Sequence, residues 1–139
     1  MSVQRKFKLP GAIQGYRLRM GMSQKMLAIA IGVDQSLLCA VEKGRRQAPP
    51  DPFLGRMAEA LGLNDAQKDE LIWLAEHDRI IRDVARGPCS EAVGVVSGAL
   101  MAVCGMSPSA RDGMVKLLER KAESAAEMRD LESWQGFGR

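Results

Sequence analysis

Apolar positions along this chain recur at helical spacing, are punctuated by Gly and Pro, and nowhere alternate over a strand's length. The punctuation predicts a succession of helices. A short one over residues 12–20 stops at Gly21. Ser23 is a good N-cap for the next, which runs to residue 31, because its hydroxyl can accept from an orphan amide of the first turn. Gly32 ends that helix, Val33 is a buried pivot, and Asp34 caps a third helix over 35–43 that Gly44 stops. The stretch RRQAPPDP (45–52) is a loop, since Pro49, Pro50 and Pro52 cannot sit inside a helix. Asp51 as cap and Pro52 at the first helical position start a fourth helix, closed by Gly62.

Asn64 opens a longer helix whose inner stripe holds Leu71, Leu74, Ala75, Asp78 and Ile81 and which fades at Gly87-Pro88. Ser90 caps a helix of small residues reaching residue 104, and Ser107-Pro108 begins a last, charged helix. Residues 1–11 read as a flexible basic arm and residues 133–139 as a loose tail. Few β-branched runs and nine Met accompany the pattern, so the fold class is all-α.

Charge changes the picture because it is uneven. Residues 1–50 hold nine Lys or Arg against only Asp34 and Glu42, whereas the remainder holds 11 basic and 15 acidic residues. A basic front and an acidic back point to a polyanionic partner for the front alone.

Two short helices joined by a tight Gly-containing turn form a helix-turn-helix pattern. Ala28 is small enough for the third helix to cross the second closely, and Gly32 supplies the positive φ of the turn. Leu27, Ile31, Val33, Leu38 and Val41 make a miniature core, completed by Ile13, Leu18, Leu54, Met57, Ala58 and Leu61. With Leu27-Ala28, Gly32-Val33, Leu38, Val41 and Glu42-x-Gly44 in this spacing, residues 12–75 resemble the Xre/Cro type, lambda-repressor-like DNA-binding domain of bacterial and phage regulators.

The resemblance implies a five-helix DNA-binding domain over 12–86; beyond it, the residue pattern itself gives a C-terminal helical hairpin. It implies that the third helix lies in the major groove of double-stranded DNA with its first residues toward base edges. That nominates Asp34, Gln35 and Ser36, then Leu37 and Ala40, as base readers. Gln35 leads, because its amide pairs with adenine N6 and N7 together. Asp34 is favoured as a helix cap over a base contact. Gln24, Lys43, Arg45 and Arg46 fall where the DNA backbone is held, and Arg5, Lys6 and Lys8 extend the basic edge as an arm. Glu42 matches the family's Glu that pairs with an Arg of the first helix, here Arg17, in a structural ion pair.

No catalytic, metal or cofactor reading competes. His77 is the only histidine and sits in the charged stretch AEHDR, which marks it as a surface residue. Cys39, Cys89 and Cys104 are scattered, without zinc spacing or a disulfide framework. Cys39 reads as a small packed side chain on the reading helix rather than a redox sensor. Residues 92–110 carry no charge, but three Gly and a Pro break them, so no membrane span is expected. With no signal peptide read at Met1, a reducing cytoplasm fits the cysteines.

The small residues Gly94, Ser97, Gly98 and Ala102 allow close helix approach, so residues 90–132 read as a helical hairpin that packs against itself, the front domain or a second chain, with a homodimer through this region favoured. The sequence thus predicts a cytoplasmic, dimeric, sequence-specific DNA-binding regulator, a repressor on a palindromic operator, without cofactor and with the effector open. The alternative is a helix-turn-helix antitoxin whose back half binds a toxin partner while its front half autoregulates the operon.

Overall fold

The computed structural model describes residues 6–137, with side chains through Trp134. Helices run α1 Leu9–Arg19, α2 Gln24–Ile31, α3 Gln35–Glu42, α4 Asp51–Ala60, α5 Asp65–Arg86, α6 Val93–Val103 and α7 Pro108–Phe137, with no strand among the described residues. The fold is all-α, a helix-turn-helix domain with C-terminal helices. The chain divides into two compact units, residues 1–100 and 101–139.

In the first unit, α1–α5 enclose one core built on Ile13, Leu27, Ile31, Leu38, Leu54, Met57 and Leu71, all essentially inaccessible. Losing any of these large side chains to Ala typically costs about 2–5 kcal/mol. Gly32 closes α2 in the left-handed region at φ 75°, and Val33 N then donates to Ala28 O at 3.0 Å. The chain axis turns by 113° between α2 and α3, a crossing that buried Ala28 permits. Ser23 Oγ accepts from Met26 N at 3.1 Å, and Asn64 with Gln67 completes a reciprocal capping box on α5.

Several expectations are corrected. Leu18, placed in the core by the sequence, is 62% exposed, because Ile13 and Arg17 take the inward positions one turn apart on α1. Asp51 is the first residue of α4 rather than its cap, a place held by Pro50. Ser90 belongs to a 3-10 turn, Ser90–Ala92, that precedes α6. The basic arm also ends sooner than expected. Arg5 lies outside the described residues, but Phe7 is buried against Ile81 and Val93, and α1 starts at Leu9. Asp78 of α5 accounts for that start: Lys8 N donates to its Oδ1 at 2.8 Å and Leu9 N to its Oδ2 at 2.9 Å. A carboxylate from a distant helix therefore serves as the cap that Lys8 cannot provide.

His77 is not a surface residue. It is fully buried, with Nδ1 2.8 Å from Asp78 Oδ1 and Nε2 2.9 Å from Ser97 Oγ. In the tautomer protonated on Nδ1, the ring donates to the carboxylate and accepts from the hydroxyl. Ser, His and Asp stand here in the order of a nucleophile relay, yet Ser97 is buried and Asp78 is committed to two backbone amides. The arrangement is a polar fastening between α6, α5 and the start of α1.

In the second unit, Ser107 Oγ accepts from Ala110 N at 3.2 Å and opens α7. The helix continues to Phe137, through residues expected in the loose tail; residues 138 and 139 of that tail lie outside the described residues. No residue of α7 is buried among those described. No single helix among the described residues is long and apolar enough to cross a membrane.

Candidate nucleic-acid interface

The surface around α3 follows from how that helix is held. Leu38 and Val41, one turn apart, point into the core and fix its rotation. Asp34, Gln35 and Ser36 then stand exposed together at its N-terminus, while Leu37 and Ala40 are half-buried. Leu37 lines a cleft of about 350 Å³ with Val41, Arg46 and Phe53, beside the loop that follows α3. Asp34 occupies the cap position with extended backbone, φ −69° and ψ 142°, but its carboxylate makes no capping hydrogen bond. The expected cap is therefore absent: the side chain is exposed and free to meet a donor from outside.

Arg17 and Glu42 set the pitch of α3 against α1. Arg17 Nε donates to Glu42 Oε1 at 2.7 Å, Nη2 to Oε2 at 3.2 Å, and Nη1 to Met22 O at 2.9 Å. The fork is bidentate and both side chains are largely buried, so its geometry is fixed. Gln24 joins it, with Nε2 donating to Glu42 Oε2 at 2.5 Å. One carboxylate thus gathers α1, α2 and α3. The Gln24 side chain, nominated for the DNA backbone, is half-buried with its amide on Glu42. The backbone amides of Gln24 and Lys25 at the start of α2 have no acceptor among the described residues and remain available to an anion.

Lys43, Arg45 and Arg46 are exposed along the turn after α3. Two arginines of α5 that sequence reasoning missed hold that turn in place. Arg82 Nη2 donates to Gly44 O at 3.2 Å and to Arg46 O at 3.0 Å, and Arg79 Nη2 donates to Pro49 O at 2.5 Å. Arg82 also stacks over Phe7, its guanidinium carbon 4.7 Å from the ring centre. No local pattern marked Arg79 and Arg82, because their acceptors are backbone carbonyls 30, 38 and 36 residues away.

Exposed polar side chains thus stand at the N-terminus of α3, and a braced turn carrying exposed Lys43, Arg45 and Arg46 follows its C-terminus. Residues 12–71 match the family model of a helix-turn-helix domain. No curated protein and no solved structure matches the chain. The matched segment contains α2, α3 and the whole Arg17–Gln24–Glu42 cluster, and it ends within α5 at Leu71, before His77, Asp78, Arg79 and Arg82. The bracing of the cationic turn is therefore supplied from outside the matched segment. Cys39 is half-buried and free, and no group of three or more potential metal-ligating side chains occurs among the described residues.

Proposed function

We propose that this chain is a sequence-specific DNA-binding transcription regulator. In this reading the N-terminus of α3 enters the major groove, Gln35 reads a base edge, and Ser36 and Asp34 flank it. Asp34, free of any capping role, accepts from a cytosine amino group. Lys43, Arg45 and Arg46 take phosphates, and the open amides of α2 take another. The exposed Asp34–Gln35–Ser36 edge beside a braced cationic turn is the observation that carries the reading.

The regulator works as a dimer on a palindromic operator, with half-sites about one helical turn apart, and represses by blocking polymerase. Two copies are needed because one small reader contacts too few base pairs for specificity, and linking two multiplies affinity. The test is to mix purified protein with sheared genomic DNA at moderate salt, recover the bound fragments and sequence them. Enrichment of fragments that share an inverted repeat is the expected result. Recovery without enrichment would reduce the front half to a non-specific polyanion binder.

A further inference from the structure

α7 presents a physical contradiction within one chain. It is a 30-residue helix with nothing buried among its described residues, although Leu117, Leu118, Met128 and Leu131 are each 49–60% exposed on it. Helices in proteins draw most of their stability from burying an apolar face, and no described apolar side chain of this one is buried. Its charges are also ordered against its own dipole. Over residues 111–121 the bases Arg111, Lys116, Arg120 and Lys121 outnumber Asp112 and Glu119; over 122–132 the acids Glu123, Glu127, Asp130 and Glu132 outnumber Arg129. Positive charge at a helix N-terminus and negative charge at its C-terminus both destabilise an isolated helix.

Both problems vanish if a helix of the same sequence lies alongside in the opposite direction. Its acidic half then meets the basic half and its dipole is reversed. We propose that α7 pairs antiparallel with α7 of a second copy. The seam residues Met114, Leu117, Lys121, Ser124, Met128 and Leu131 alternate three- and four-residue steps, the period of a coiled-coil stripe. One symmetric register aligns them all. Met114 faces the partner's Leu131, Leu117 faces the partner's Met128, and Lys121 faces the partner's Ser124.

The flanking positions choose the direction. In this register Arg111 meets the partner's Glu132, Arg120 meets the partner's Glu127, and Leu118 packs on the partner's Ala125. A parallel pairing on the same seam would set Arg120 against Ala125 and Glu127 against Glu132, trading two attractions for a repulsion. None of Arg111, Arg120, Glu127 and Glu132 makes an ion pair within the chain among the described residues, so all four are available.

This pairing deepens the dimer proposed above, and its test needs no DNA. Sedimentation of the full chain at micromolar concentration should show a dimer. Arg120→Glu and Glu127→Arg should each weaken self-association by roughly tenfold or more, since each sets like charges together at two symmetric sites. The combined variant should recover the wild-type dimer, an outcome that only the antiparallel register gives. A monomeric wild type, single swaps without effect, or a combined variant as weak as the single ones would each overturn the proposal. Should a single swap unfold α7, the combined variant still decides: recovery of helix and dimer together supports the pairing, and failure to recover overturns it. A monomer that takes up a different polypeptide along α7 would also overturn it. A dimer that binds no specific DNA leaves the pairing standing and removes the regulator reading instead.

Discussion

The α2–α3 pair and α7 share Ala, Leu and Met, but α2 and α3 carry only Lys25 and Glu42 as charges whereas α7 carries 11 charged residues among its 30, and they end in opposite states. α2 and α3 together are shorter than α7, yet they bury Leu27, Ala28, Ile31, Leu38 and Val41, whereas α7 buries nothing among its described residues. The difference lies in what each can fold back upon. Gly32 turns the chain sharply, so two faces meet inside one domain. α7 runs on for 30 residues without a turn to bring its stripe against another segment. The short pair with a sharp turn is completed within its own chain; in the pairing proposed above, α7 is completed by a second copy.

The largest effect expected from that contrast is at Glu42. Glu42→Ala leaves Arg17 charged, buried and unpaired, and should cost about 3–5 kcal/mol in urea unfolding. Glu123→Ala on exposed α7 should stay within about 0.5 kcal/mol in the same measurement. Equal losses at the two sites would erase the distinction. Asp78→Ala comes next, at about 3 kcal/mol, because it orphans two backbone amides and a buried imidazole at once. Hydrogen exchange at Lys8 and Leu9 should accelerate in that variant even under conditions where the core stays folded.

Smaller effects belong to recognition rather than folding. Gln35→Ala should cost about 1–3 kcal/mol at one base pair and relax preference there, read by competition between operator variants. Unchanged selectivity would move base reading to another side chain. Arg45→Ala should weaken binding to every duplex alike and lower the salt slope by about one, with the order of preferred sequences unchanged.

What the sequence made legible divides along the same line. The α2 turn was readable because its causes are local: a Ser cap, a small Ala, a Gly at positive φ. The Arg17 and Glu42 positions were readable only through a resemblance, since 25 residues separate them and no periodicity links them. The Asp78 fastening was not readable at all. Its amide partners lie 69 and 70 residues away, so the sequence placed Asp78 on the inner stripe of α5 without a partner for its carboxylate. His77 was misjudged for a related reason: a charged local context predicted exposure, but Asp78 and Ser97 satisfied both ring nitrogens and let it be buried. Asp34 failed in the other direction. The backbone took the cap conformation and the side chain did not follow, so residue type and position were right while the hydrogen bond was absent.

The seat of Phe7 beneath Arg82 carries a practical consequence for handling the molecule. The same guanidinium that covers Phe7 holds the carbonyls of Gly44 and Arg46. A preparation trimmed to begin at Leu9, or one with a rigid fusion joined there, would lose the ring that confines this arginine. Under the function proposed above, it would bind DNA poorly although Asp34, Gln35 and Ser36 were intact. The leading residues are best left native, and purification handles belong at the opposite terminus.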